Sequence, residues 1–483
     1  MESVAAAVTR LQTLASDPAI LALAERFQSA GHELALVGGP VRDAFLGRPV
    51  NDLDFATSAR PDDIVRIVAP VADAHWDIGR AFGTIGARLG GTTVEITTYR
   101  SDAYGADSRK PEVAFGDTLE GDLGRRDFTI NAMALRVPQL TLVDPTGGLE
   151  HLLAHRLTTP GTAESSFGDD PLRMLRAARF AAQLGVEVDD EVVVAMHSMR
   201  ERLQIISAER VRDELTKLLL TPTPRRGLEL LVATGIADVV LPELPALRLE
   251  VDEHAHHKDV YEHSLTVLDQ AIELEGERAG TSSESLTPPD LVLRLAALLH
   301  DIGKPATKRV ESGGVVTFHH HDVVGAKLAR KRLTALRFDN DTIKRVSRLI
   351  ELHLRFFGYS DAPWTDSGVR RYVRDAEDEL ERLHILTRAD VTTHNRRKAA
   401  RLRGAYDELE ERIARLAEQE ELAAIRPDLD GERIMAILQV PPGPLVGEAY
   451  RFLLEVRLDE GPLGDEEAER RLRRWFESRE ASD

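Results

Sequence analysis

Between residues 34 and 136, short apolar runs alternate with glycine-rich turns: LALV (34–37), LDFAT (53–57), GTIGARL (83–89), TTVEITTY (92–99) and NAMALRV (131–137). Runs of this length, rich in β-branched residues and bounded by turn formers, predict strands, and the region reads as an α/β domain. From about residue 165 the period changes. DDPLRMLRAARFAAQL (169–184), AERVRDELTKLLL (208–220) and PRRGLELLVATGIADVV (224–240) carry apolar residues three and four positions apart, which predicts amphipathic helices. The remainder keeps the helical period, broken by polar, proline-bearing stretches at 276–289 and 357–368. There is no internal repeat, and the extreme C-terminal stretch, rich in Glu and Arg, predicts a helix that frays.

A chain of 483 residues is too long for one small core; at roughly 150 residues per domain it predicts three or four, divided here into 1–160, 161–250, 251–400 and 401–483. Hydrophobic residues at 42% and charged residues at 30% place it among ordinary globular proteins. There is no cysteine, which excludes a disulfide framework, a thiolate zinc site and a cysteine nucleophile. Any metal must therefore sit on oxygen or imidazole. The N-terminus lacks a signal-like apolar core and no run approaches the ~20 apolar residues of a membrane span, so a cytoplasmic protein is expected. The net charge of −19 argues against a chain coated in nucleic acid, although basic residues bunch at Arg330-Lys331-Arg332, Lys344-Arg345 and Arg396-Arg397-Lys398.

The run LVGGPVRDAFLGRPVNDLDFAT (36–57) combines three elements. An apolar strand enters Gly38-Gly39 and then a helix, so backbone N–H groups can approach an anion at the helix start, with Arg42 near enough to pair with phosphate. Asp52 and Asp54, two apart in a strand, share a face. Two carboxylates so placed repel unless a cation lies between them, and magnesium prefers carboxylate oxygen. Glu95, in TTVEITTY, is a candidate third carboxylate on a neighbouring strand. An isolated Asp-x-Asp is ordinarily a solvated turn; the glycine pair and arginine beside it change that reading.

GGPVRDAFLGR followed by NDLDFAT resembles the nucleotidyltransferase signature of the tRNA CCA-adding enzymes and bacterial poly(A) polymerases. RRDFTINAMAL (125–135) is similar to the family's next motif, in which an arginine contacts the incoming nucleotide; Arg126 is the matching position. DPTGG (144–148) resembles the turn that follows it, and DDPLRMLRAARFAAQLG (169–185) the helix that reads the incoming base, with Asp169 where the family usually has Glu. Spacing gives this stretch its own chemistry: Asp170, Arg173, Arg176 and Arg179 recur every three residues and predict one slowly drifting stripe on a helix. A carboxylate accepts hydrogen bonds and a guanidinium donates them, so together they can meet a base's Watson–Crick edge.

The resemblance implies an α+β protein: a DNA polymerase β-like nucleotidyltransferase head, then an all-α neck and body with the base-reading helix, an HD-type helical domain and a helical tail that touches tRNA. It implies template-independent addition of CTP and ATP to the tRNA 3′ end. Mg2+ would be held by Asp52 and Asp54, with Glu95 assisting. Gly39, Arg42 and Arg126 would cradle triphosphate and ribose, Asp170 and Arg173 would select the base, and Arg176 and Arg179 would support them. IGRAFGTIGARL (78–89) and DGERIMAILQVPPGPLVGEAYRFLLE (430–455) are closer to CCA enzymes than to poly(A) polymerases. Poly(A) addition, CC-only or A-only addition, and an RNA-binding protein with a decayed site are the alternatives.

Eleven of the 16 histidines fall between His254 and His394. His263, His300-Asp301, the cluster His319 to His321, and Asp390 follow in order, mostly in predicted helices, whose rigid backbones can converge ligands. The set resembles the HD phosphohydrolase superfamily. By that resemblance His263, His300, Asp301 and Asp390 are metal ligands, and His320, His321 and His353 are second-metal or phosphate contacts. Imidazole with carboxylate suits Ni2+, Mn2+ or Fe2+. The resemblance further implies hydrolysis of 2′,3′-cyclic phosphates or phosphomonoesters.

Overall fold

The structure, a computed structural model, describes residues 4–50, 52–77, 79–100, 115–248, 259–278, 287–312, 316–356, 359, 364–392, 396–420 and 426–480. The chain divides into two compact units, residues 1–242 and 243–483. The expected boundary at 160 falls inside the first unit, and the division lies near the expected one at 250.

The first unit is built on a seven-stranded sheet of β1 (Leu34–Val37), β2 (Leu53–Thr57), β3 (Ala74–Trp76), β4 (Thr84–Leu89), β5 (Thr92–Thr98), β6 (Ala134–Val137) and β7 (Thr141–Val143), in the order β3-β4-β5-β2-β1-β6-β7. Pairing is antiparallel except between β2 and β5. Five strands match the apolar runs; β3 and β7, three residues each, are short edge strands that the pattern does not announce. Alternation gives the sheet two faces. One carries Leu34, Leu36, Phe55, Ile85 and Ile96, all buried, and the helices Pro18–Ser29 and Pro61–Val68 pack on β1, β4 and β5. The other carries Ala35, Val37 and Ala56, which form a core with Leu119, Leu123 and Ala134. Asp54, two residues before Ala56, lies on this second face beyond that cover and is exposed.

Asp144 explains the DPTGG turn. Its carboxylate accepts from Gly148 N at 2.7 Å and Leu149 N at 2.9 Å, capping the helix Gly148–Leu153. A Cβ at Gly148 would meet the Thr129 carbonyl oxygen at 2.1 Å, so only glycine fits.

The stretch 169–184 is not one helix. Ala163–Asp169 ends, Asp170 takes extended backbone, and Arg173–Leu184 begins afresh. Pro171 is the cause, since a proline drives the preceding residue out of the helical region. Pro224–Ala233 lies against Arg173–Leu184 at Gly227, where a Cβ would meet the Ala178 carbonyl oxygen at 2.5 Å. The helix expected over 224–240 breaks at Gly235, whose φ is 73°.

In the second unit the helices Val260–Arg278, Leu291–Leu299, His321–Ala335, Asn340–Leu352 and Leu380–Ala389 pack together. Asp366–Ala376 and Arg396–Glu420 follow their pattern, while much of the expected breaks at 276–289 and 357–368 lies outside the described residues. The last three helices, Gly431–Leu438, Pro444–Glu460 and Asp465–Glu480, enclose a small core of Leu429, Ile434, Ala449, Leu453, Ala468 and Leu472.

Candidate active site and metal centre

β2 and β5 run parallel with Asp54 beside Glu95, so the two carboxylates share a face of the sheet. Asp52 precedes β2 by one residue and, like Asp54, is exposed while Leu53 and Phe55 are buried. Register thus sets Asp54 and Glu95 side by side, and Asp52 lies within electrostatic reach of Asp54. Asp54 keeps solvent contact, yet its pKa is raised: partial desolvation is the largest cause, then the charge of Glu95, with Arg126 opposing and Asp52 adding. Asp54, with the charges of Glu95 and Asp52 set against its ionisation, stands in a group of acids that a divalent cation would relieve.

Gly38 has φ 72°, and its N–H donates to the Met133 carbonyl at 3.1 Å. A Cβ there would lie 2.9 Å from Nη1 of Arg126, so the guanidinium rests directly against the glycine turn. Arg126 is held by Asp122 at 3.2 Å. Gly39 opens the helix Gly39–Phe45.

Arg42 points inward. It is 6% exposed, donates to Asp43 at 2.9 Å and to Asn131 at 2.6 Å, and lies over the Phe180 ring. From Asn131 the network continues. Asn131 donates to Asp127 at 3.0 Å, Asp127 accepts from Arg176 at 2.8 Å, and Glu214 accepts from Arg179 at 2.7 Å while lying 3.6 Å from Arg176. Arg42, Arg176 and Arg179 all approach the one ring of Phe180, with Arg179 closest at 4.1 Å. Burial opposes ionisation of Asp127, but the charge and hydrogen bonds of Arg176, with Asn131 and Arg173, hold its pKa down at about 2.

A cavity of about 270 Å³ is lined by Arg126, Asp127, Asp170, Leu172, Arg173, Arg176 and Arg210. Asp170 accepts from Leu172 N at 3.1 Å and from Arg210 at 2.7 Å; Arg173 donates to Ser166 Oγ and to the Arg125 carbonyl, both at 2.8 Å. Arg179 is not part of this lining. A three-residue step turns a helix by 300°, so the stripe drifts about 60° each time. By Arg179 it has rotated into the core, where the side chain is 8% exposed.

In the second unit His263, His300 and Asp390 converge, as do Asp301, His321 and His353; each group could hold a metal ion. His263 Nε2 lies 2.9 Å from Asp390 and 3.3 Å from His300 Nε2, and His321 Nε2 lies 3.3 Å from Asp301. The outer ring nitrogens explain the aim. Nδ1 of His300, His321 and His353 faces the carbonyls of Ala297, Phe318 and Ile350, and that of His263 faces Thr392 Oγ1. Tied in this way, each ring turns Nε2 inward, the arrangement by which a metal-ligating histidine is oriented. His353 Nε2 is buried with no hydrogen-bond partner among the described residues, and His300 and Asp301 are fully buried. Burial favours a neutral His300, but Asp301 and then Asp390 outweigh it and raise its pKa to about 9; burial and the charge of His300 push His353 down to about 4. The donor set fits a cation. His320, expected beside them, is exposed at the start of its helix and belongs to neither group.

Over 453 residues, 92% of this chain and 95% of the relative, the sequence is 35% identical to the A-adding tRNA nucleotidyltransferase of Deinococcus radiodurans. The chain belongs to the tRNA nucleotidyltransferase family. It is accordingly a nucleotidyltransferase. A second member, the CC-adding tRNA nucleotidyltransferase of Thermus thermophilus, is 32% identical over 92% of this chain and 94% of its own length. Three family models match: the poly A polymerase head domain over residues 34–158, the probable RNA and SrmB-binding site of polymerase A over 185–247, and the HD domain over 260–418. Among solved structures, the Bacillus stearothermophilus CCA-adding enzyme in complex with CTP shares the fold, with a TM-score of 0.68, 24% identity, and coverage of 97% of this chain and 100% of that one. No helix among the described residues is long and apolar enough to cross a membrane. Asp127, Arg210, Lys304 and Thr392 also contact the candidate site residues, and the residue pattern does not announce them. Lys304, 2.9 Å from Asp301, stands in the HDIGK run and Asp127 in RRDFTINAM, so motif context was the available signal; Arg210 and Thr392 carried none.

Proposed function

We propose that this chain completes the tRNA 3′ end by adding C and A residues from CTP and ATP, with Asp52, Asp54 and Glu95 as the metal-holding carboxylates. The observation that carries the reading is the cavity that brings Arg126, Asp170 and Arg173 together, with Arg126 also within electrostatic reach of Asp54. Mg2+ bound by the carboxylates would supply a polarised α-phosphate and an activated hydroxyl. The chain's own part is positioning. The Gly38-Gly39 turn and Arg126 hold the triphosphate, and Asp170 and Arg173 present an acceptor and donors to the base edge. Arg210, paired with Asp170, fixes which oxygen of that carboxylate faces the nucleotide. Arg42, Arg176 and Arg179 act from beneath, through Asn131, Asp127 and Glu214, and hold the base-reading helix against the head.

The test offers purified protein tRNA transcripts ending before CCA, after C and after CC, with each nucleotide singly and together, and sequences the 3′ ends. C,C,A completion supports the proposal; A added to any RNA overturns it. Asp52→Ala and Asp54→Ala should each abolish incorporation, and activity in either would place the metal elsewhere. A second reading has specific support: the two relatives matching over 92% of the chain are named A-adding and CC-adding. Incorporation confined to transcripts ending in CC, or to the first two positions, would select it.

For the second unit we propose a metal centre on His263, His300, Asp301 and Asp390, extended by His321 and His353, that hydrolyses 2′,3′-cyclic phosphates or phosphomonoesters. Hydrolysis of 2′,3′-cyclic AMP with added Ni2+, Mn2+ or Fe2+ should vanish in His300→Ala; none with any metal would make the centre structural.

A further inference from the structure

One row across the sheet extends the carboxylates toward its edge. Asp54 on β2 pairs with Glu95 on β5, Glu95 with Gly86 on β4, and Gly86 with Trp76 on β3. Paired residues share a face, so the four stand side by side. At Gly86 the missing side chain matters: a Cβ would lie 2.1 Å from Nε1 and 2.3 Å from Cε2 of Trp76. The indole therefore lies over the glycine, leaning from the edge strand toward Glu95. It is half-buried, and no ring or hydrogen-bond partner is seen for it among the described residues. Arg88, two residues beyond Gly86 on the same face, is exposed and has no carboxylate in ion-pair contact among the described residues. Ile85 and Ala87, between and beside them, are buried on the opposite face.

Direction decides what this surface can serve. The Gly38-Gly39 turn and Arg126 stand with β1 and β6, on the far side of Asp54 from β5 and β4. If the leaving pyrophosphate is held there, in-line displacement requires the attacking hydroxyl to arrive from the opposite side, over Glu95. Two strand spacings, about 10 Å, separate β3 from β5. We infer that Trp76, seated on Gly86 and flanked by Arg88, is the platform on which the 3′-terminal base of the acceptor RNA stacks, with Arg88 meeting its phosphate. An aromatic face joined to a cation is the combination that holds single-stranded nucleic acid without reading its sequence. That tolerance suits an acceptor end whose last base changes after each addition. The inference rests on the proposed carboxylate site and names its RNA-side subsite.

The test is a KM split with a spectroscopic control. Trp76→Leu keeps an apolar cover over Gly86 and removes the extended ring; Trp76→Phe keeps a smaller ring. With an RNA minihelix ending before CCA as acceptor, Trp76→Leu should raise the KM for RNA about tenfold, the scale of a lost base-aromatic stack. Trp76→Phe should recover part of it, and the KM for CTP at saturating RNA should stay put. Minihelix added without nucleotide should quench tryptophan emission in the unsubstituted protein and not in Trp76→Phe. Equal KM for RNA in the folded Leu variant, a parallel rise in the KM for CTP, or a quench that survives Trp76→Phe would each overturn the platform and leave Trp76 a filler over a strand glycine. Failure of the underlying carboxylate reading shows separately, as incorporation by Asp52→Ala.

Discussion

Asp127 shows how a single buried acid links stability to the site. Its pKa of about 2, against 3.8 for an unperturbed aspartate, means the folded state holds the ionised form more firmly than the unfolded chain does. The stabilisation is complete above pH 4 and is lost as pH falls through 2, and it amounts to about 2 kcal/mol. Urea unfolding across pH 6 to 2 should show that loss, and Asp127→Asn should flatten it while lowering stability at pH 7. At Asp170, Arg210→Ala should relax the discrimination between CTP and ATP on one side and GTP and UTP on the other by about tenfold, measured as ratios of kcat/KM. Arg173 reaches Ser166 Oγ and the Arg125 carbonyl at once through its two Nη groups, which a lysine cannot do, so Arg173→Lys should be the more damaging change, with incorporation down about a hundredfold. The Asp52 and Asp54 pair is legible in the sequence because residues two apart in an extended segment share a face, whereas the place of Glu95 beside Asp54 depends on the β2–β5 register. Asp127 and Arg210 are not legible, since their partners Arg176 and Asp170 lie 49 and 40 positions away.

Elements meet at glycines, and there the sequence pattern underdetermines the packing. The period over 169–184 predicts one helix; Pro171 splits it and leaves Asp170 extended, which lets its carboxylate cap Leu172 and still face Arg210. Gly227→Ala would drive a methyl into the Ala178 carbonyl and Leu218, forcing the helix Arg173–Leu184 to shift. A cost of about 1–3 kcal/mol in chemical denaturation is expected, together with reduced base selectivity. Gly303 does the same for the metal centre, because a Cβ there would meet the His321 carbonyl oxygen at 2.0 Å. Gly303→Ala should weaken Ni2+ binding, read by calorimetry, and spare nucleotide addition. The sequence pattern does not announce the strands β3 and β7, because three residues cannot display an alternation.

At the scale of the whole molecule, Asp52, Asp54 and Glu95 fall in residues 1–242 and the histidine–aspartate groups in 243–483. A chelator that strips transition ions but leaves Mg2+ should stop phosphoester hydrolysis and leave nucleotide addition intact, assayed in one preparation. The net charge of −19 makes acceptor binding depend on local basic residues, and the KM for RNA should rise steeply between 50 and about 200 mM salt. The network through Asp43, Arg42, Asn131, Asp127, Arg176, Glu214 and Arg179, gathered around Phe180, has a consequence for how such proteins can be recombined. Its members enter the chain from residue 42 to residue 214 and share buried charges, so a chimaera joined near 160 would pair one parent's Asp127 with the other's Arg176. A graft between two relatives must carry both ends of that network together, which makes the sheet and the helices behind Phe180 one heritable block.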